Sequence, residues 1–204
     1  MDISNRTLMW LLILAIAISL WGTMTSLSKL QRLSITGAVS ANGTAQLYIN
    51  TSLGIIFAVD TVDWGSGYVN QSAADWCLLN TTGGKTSGCA EFNTVTQGLV
   101  IENTGNAVFS SVQLRSEKNA TEFLGEDCSA VFQWKISENE TGSCGTLHDT
   151  SWTDVNTSDP GTTICENFQF ANDQDSLLVD LQINFTYQIP TGSKTTQLVV
   201  TGTQ

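Results

Sequence analysis

Val179-Asp-Leu-Gln-Ile-Asn-Phe-Thr-Tyr-Gln-Ile189 places an apolar side chain at every odd position and a polar one at every even position. Side chains alternate across a β-strand, so this period of two reads as a strand with one buried face and one wet face. Pro190-Thr-Gly-Ser193 supplies turn chemistry after it, and residues 195–201 are expected to return as its partner. Working back along the chain, residues 54–60 form a continuous apolar run bounded by turn residues, the pattern of a central strand. Residues 44–50 alternate after an Asn42-Gly43 turn of the kind hairpins favour. Residues 98–102, 107–114 and 129–136 are rich in Val, Ile and Phe and are separated by Gly, Asn and Ser. Beyond residue 33 no convincing amphipathic helix is found. Seven to nine short antiparallel strands with regular turn signals predict a mainly β fold, a single antiparallel β-sandwich over residues 35–204.

The first 34 residues obey a different rule. Residues 7–28 carry no charge, and the stretch from Leu8 to Trp21 is densely apolar. About 20 such residues match the roughly 30 Å hydrocarbon core of a bilayer. Past Trp21, Met24, Leu27 and Leu30 recur at three-residue spacing among Ser, Thr, Lys29, Gln31 and Arg32, which extends a helical pattern. A helix over residues 2–33 would be about 48 Å long, so its last turns would offer an apolar stripe beyond the lipid. Ala15, Ser19 and Gly22 share one helical face and are candidate assembly positions, together with Met24, Leu27 and Leu30. A cleavable secretory signal is the alternative, but Thr23 and Thr25 fit a cleavage site poorly and Ala38-Val39-Ser40 lies too far downstream. A buried core helix is disfavoured, because the stretch is apolar on all sides. Arg6 on one side and Lys29 with Arg32 on the other leave the orientation undecided by charge.

Charge separates at the same boundary. Residues 1–34 carry Arg6, Lys29 and Arg32 against Asp2, whereas the remaining 170 carry five basic and eighteen acidic side chains. An acidic surface with a single histidine repels phosphate and argues against a nucleic-acid partner. Two further features point to an oxidising space outside the cytoplasm. Asn-x-Ser/Thr sequons occur at Asn42, Asn50, Asn70, Asn80, Asn119, Asn139 and Asn156, which makes N-linked glycans expected partners. Asn184 and Asn5 also open sequons, but one lies inside a strand pattern and the other on the far side of the membrane. All five cysteines lie beyond the helix, at spacings that suit no zinc site. Disulfides Cys77–Cys89 and Cys144–Cys165 would each close a polar loop and leave Cys128 spare, buried or cross-linking subunits. Cys128–Cys144 is the rival pairing.

The chemistry-bearing patterns argue against an enzyme and against a bound cofactor or metal. Gly83-Gly-Lys-Thr86 lacks the leading glycine of a phosphate loop, Leu79 standing in its place. Residues 154–159 space oxygens as a calcium loop does, but Asp159 replaces the sixth-position glycine and Cys165 the twelfth-position glutamate. Asn172-Asp173-Gln-Asp175 is a similar polar loop. His148, Asp149 and Ser151 are neighbours in sequence, which is not the spatial geometry a catalytic triad requires.

Leu99-Val-Ile-Glu-Asn-Thr-Gly-Asn-Ala-Val-Phe-Ser-Ser-Val-Gln-Leu114 resembles a strand–turn–strand hairpin common in immunoglobulin-like domains of archaeal and bacterial surface proteins. Ile189-Pro190 and Gly192 resemble the closing element of such domains. The plan of an apolar N-terminal helix carrying an all-β head is similar to archaeal type IV pilins and archaellins. It departs from them where Asn5 occupies the position at which many pilins have Glu, and where no Lys/Arg-Gly processing site precedes the apolar block. The resemblance implies an immunoglobulin-like head and self-assembly through the helix into a pilus-like filament or surface layer. The partners would be copies of the chain, and membrane lipid before assembly. A membrane-tethered adhesin or receptor-type ectodomain, or an archaeal viral envelope protein, would share the same plan.

Overall fold

The computed structural model describes residues 5–30, 47–126 and 129–204, with side chains of the N-terminal helix described through residue 25. The chain divides into two units, Met1–Tyr48 and Ile49–Gln204. The domain boundary expected at residues 34 and 35 falls outside the described residues.

The first unit contains α1 (Asn5–Leu30), a single helix of 26 residues and about 39 Å. Leu is its commonest residue and no proline interrupts it, so propensity and pattern agree. Its segment Asn5–Thr25 is long and apolar enough to cross a membrane. Every described side chain on it is exposed, the indoles of Trp10 and Trp21 and the thioether of Met24 among them. The hydroxyl of Thr23 donates to the carbonyls of Ser19 and Leu20, and that of Thr25 to those of Trp21 and Gly22. Such back-bonding hides a polar group within the helix, which an apolar surrounding demands.

In chain order the second unit comprises β1 (Ile55–Val59), β2 (Tyr68–Val69), β3 (Trp76–Asn80), β4 (Cys89–Ala90), β5 (Leu99–Asn103), β6 (Phe109–Ser116), α2 (Ala120–Leu124), β7 (Val131–Glu138), β8 (Thr146–Leu147), β9 (Thr153–Asp154), β10 (Thr162–Phe168), β11 (Ser176–Thr186) and β12 (Leu198–Thr203). One sheet has the order β1-β5-β11-β7-β9, with β3 also on β11; a second has the order β12-β6-β10-β8; β2 and β4 form a ribbon. Every pairing is antiparallel. β11 is the spine of the larger sheet. Along one edge it pairs β5 at residues 176–179 and β3 at residues 182–186, and along the other it pairs β7 from Leu177 to Asn184. Leu177, Val179, Leu181, Ile183 and Phe185 are buried, and they join Val112, Leu114, Ile164 and Phe168 of the smaller sheet in one hydrophobic cluster. Trp134, the largest of the fully buried side chains, belongs to the same cluster.

The mainly antiparallel β architecture and the apolar N-terminal helix agree with the sequence pattern, but several local expectations need correction. Residues 47–50 are irregular, with Leu47, Tyr48 and Ile49 largely exposed, and not the strand expected there; Asn42 and residues 43–46 lie outside the described set. β1 is an edge strand and not a central one, because an apolar run on both faces does not reveal how many neighbours a strand has. β5 and β6 are not a hairpin. Asn103-Thr-Gly-Asn106 carries the chain from one sheet to the other, held by Thr104 N–H to Gly54 O and Asn106 N–H to Ser52 O. Likewise β12 pairs β6 and not β11, so residues 187–197 cross between sheets and do not close a hairpin. β11 ends at Thr186, leaving Tyr187 exposed and Ile189 outside the strand. A short helix, α2, also exists, nucleated by a capping box in which Asn119 Oδ1 accepts from Glu122 N–H and Glu122 Oε2 accepts from Asn119 N–H.

Candidate functional site

The residues expected to mediate assembly lie on α1. Ala15, Ser19 and Gly22 are exposed on one face, and a Cβ added at Gly22 would meet nothing within 4 Å. Beside them Ala17, Ile18, Trp21 and Gly22 line a shallow apolar notch next to the Trp21 indole. Met24 is exposed one turn further on; the side chains of Leu27 and Leu30 lie outside the described residues. The helix therefore presents small and large apolar groups to its surroundings with no polar stripe through residue 25 beyond Ser, Thr and the terminal Asn5 and Arg6.

In the second unit the structure brings Cys77 to Cys89, with Cα atoms 4.8 Å apart, and Cys144 to Cys165, 5.8 Å apart, and both pairs are bonded. Cys128 lies outside the described residues. The first bridge clamps the loop containing Gly83-Gly-Lys-Thr86. There Gly83 adopts φ +86°, Gly84 N–H donates to Asn80 Oδ1, and Lys85 Nζ donates to the Phe92 carbonyl. The lysine is thus tied to backbone, and β3 and β4 flank the loop in place of a strand and helix. His148 Nε2 lies 3.5 Å from Glu166 Oε1, while Asp149 accepts the buried Trp134 indole N–H at 2.9 Å. His148 and Asp149 face different partners and form no triad. Asp154 accepts from Gln133 Nε2, and Asp159 lies 3.4 Å from Arg115. Among the described residues no group of three or more His, Cys, Asp or Glu is placed to hold a metal ion.

Two polar constellations escaped the sequence reading. Asp180, expected on the wet face of β11, is buried. Its Oδ1 accepts from Thr81 Oγ1 at 2.7 Å and its Oδ2 lies 3.5 Å from Lys135 Nζ, which also sits 5.2 Å over the Trp152 ring. Lys135 is its register partner on β7, so the alternation predicts the face correctly but not the cover over it. The second is the Asp175 carboxyl, which burial and then the adjacent Glu140 carboxylate hold above its ordinary range. Glu140 Oε2 also accepts the Asp175 N–H at 3.0 Å. No local pattern marks either constellation, since Thr81 and Asp180 are 99 residues apart and Glu140 and Asp175 are 35 apart.

The sequon asparagines occupy varied settings. Asn50 and Asn119 are exposed, and Asn70 is half-buried at a turn where its Oδ1 accepts from Ser72 N–H. Asn80 accepts from Thr82 Oγ1, its own sequon hydroxyl, at 2.8 Å. Asn139 Nδ2 donates to Ser176 Oγ, and Asn156 Nδ2 to Thr162 Oγ1. Asn42 lies outside the described residues. No protein-family model, curated protein or solved structure matches this chain.

Proposed function

We propose that this chain is a structural subunit of a cell surface, its immunoglobulin-like β-sandwich head held outside the membrane by α1 and its copies joined through α1 into a pilus-like filament or surface layer. The observation that carries this reading is the helix itself, apolar on every side and exposed along its whole described length. An apolar surface of that extent is stable only against lipid or against other apolar surface. Lipid meets the requirement before assembly and neighbouring helices meet it afterwards. The face of Ala15, Ser19 and Gly22 favours the second, because small residues let backbones approach closely where lipid offers no hydrophobic drive. Two disulfides support an oxidising compartment for the head, and the shared core of the two sheets supports a sandwich. N-linked glycans on the exposed sequons would keep the head soluble. Electron microscopy of material sheared from cells producing the protein tests the reading: ordered repeats are expected, and recovery solely as a detergent-soluble monomer would contradict it.

A further inference from the structure

The sequons of the head differ in what the fold leaves free on each asparagine. A glycan is joined to Nδ2, so that atom must reach solvent, and the Asn-x-Ser/Thr backbone around it must be open to a transferase. At Asn50 both conditions hold. Asn50, Thr51 and Ser52 are all exposed, and among the described residues Asn106 bonds the Asn50 carbonyl and not its side-chain amide. Asn119 is exposed together with Thr121; its Oδ1 accepts from Glu122 N–H in the α2 cap, and its Nδ2 is left over. Asn70 is half-buried, yet Gln71 and Ser72 are exposed on the same turn, and Ser72 N–H engages Oδ1 and not Nδ2. The remaining described sequons of the head are closed. Asn139 is exposed as a residue, but its Nδ2 donates to Ser176 Oγ at 3.0 Å, and Ser176 is 1% exposed, so the nitrogen faces the interior. Asn156 Nδ2 donates to Thr162 Oγ1 at 2.9 Å. Thr81, the middle residue of the Asn80 sequon, is fully buried with its hydroxyl on Asp180. Asn184-Phe-Thr186 lies within β11, where Asn184 is paired on both sides and Phe185 is in the core.

We propose that Asn50, Asn70 and Asn119 carry N-linked oligosaccharide and that the folded head carries none at Asn80, Asn139, Asn156 and Asn184. The inference rests on the reading that the head lies outside the membrane, where it would meet a transferase and an oligosaccharide donor with a phosphate leaving group. In the transfer Nδ2 attacks the anomeric carbon of the donor. The nitrogen–carbon bond forms as the carbon–oxygen bond to phosphate breaks, phosphate leaves with the electron pair, and one amide proton passes to a base of the transferase. Oδ1 forms no bond, so Asn119 keeps its cap and Asn70 its turn after modification. At Asn139 and Asn156 the new substituent would stand on a nitrogen already within 3.0 Å of a side-chain oxygen. At Asn80 and Asn184 a transferase could engage the sequon only by drawing Thr81 or Phe185 out of the interior. A chain modified at a closed position before folding would lose the same contacts, so the order of events leaves the pattern unchanged. Residue exposure alone selects a different set, taking Asn139 and leaving Asn70.

The test is peptide mass mapping of the full chain, purified from membranes of producing cells whose surface proteins carry N-glycans. Fragmentation keeps the glycans attached, and alkylation without reduction reads the disulfides. Glycopeptides are expected at Asn50, Asn70 and Asn119, and bare peptides at Asn80, Asn139, Asn156 and Asn184. Ser52→Ala, Ser72→Ala and Thr121→Ala are each expected to lower the intact mass by one glycan, while Thr141→Ala and Ser158→Ala leave it unchanged. All five side chains are exposed, so the fold has no reason to respond. Glycan at any closed position in a fraction comparable with the open ones overturns the inference. So does a head with both disulfides formed and any of Asn50, Asn70 and Asn119 bare. A head with reduced cysteines and no glycan overturns the placement outside the membrane, and the inference with it.

Discussion

Asn103 is 2% exposed, and its side chain is the joint between the two sheets. Its Nδ2 donates to the carbonyls of Ala107 and Gln169, and its Oδ1 accepts from Gly105 N–H. Asn103→Ala would strand three backbone groups in the interior, at a cost of about 3 kcal/mol and a fall in melting temperature of about 6–12 °C. A melting curve within a degree of wild type would refute that role. Asp175 makes a pH prediction. Because burial and Glu140 raise its folded-state proton affinity above the unfolded value near 3.8, the folded chain holds more protons in the window just above that pH. Stability contributed by this group therefore falls as pH rises through the window. Asp175→Asn is expected to melt higher than wild type at pH 7, with the gap closing as pH approaches 3.8. A variant less stable at pH 7 would reverse the sign and defeat the argument. Neither residue advertised its role. Asn103 reads as an ordinary turn former, and the partners that bury it come from residues 107 and 169.

At the scale of elements, what the local pattern contains was readable and what depends on distant partners was not. The period of two in β11 and the all-round apolarity of α1 are properties of contiguous residues, and both elements form where the pattern lies. Which strands pair is set by loops whose direction the pattern does not encode. The turn at residues 103–106 looks like a hairpin turn, yet Thr104 and Asn106 bond to the chain before β1 and send β6 into the other sheet. β5 illustrates how tightly the pairing is specified. A Cβ added at Gly98 would sit 2.3 Å from the Val179 carbonyl oxygen, a backbone atom that cannot rotate away. Gly98→Ala must therefore part β5 from β11, with an expected loss of about 1–3 kcal/mol measured by urea unfolding of the detergent-solubilised chain. An unchanged unfolding midpoint would mean that the junction of β3, β5 and β11 is loose.

For the whole molecule, the division of labour between an apolar helix and an acidic β unit was legible from composition alone, because charge and apolarity segregate at opposite ends of the chain. Of the candidate assembly positions, Ala15, Ser19 and Gly22 are helical neighbours by spacing, and all three are exposed on α1. The buried grouping of Asp180 with Lys135 and Thr81 was not legible, since it needs the register of β11 on β7 and a residue far away in sequence. The central claim is that α1 joins copies of the chain and does not merely tether a head. Replacing Gly22 by Leu and Ala15 by Phe keeps the segment apolar enough to enter lipid while blocking close approach of a second helix. Both side chains would project from an exposed helical surface, so the fold of the head has no reason to change. Membrane preparations of wild type and the double variant, sheared and sized by sedimentation, measure the difference directly. The variant is expected to reach the membrane at wild-type levels and to yield no fast-sedimenting assembly; assemblies of wild-type size from the variant would show the helix to be only an anchor.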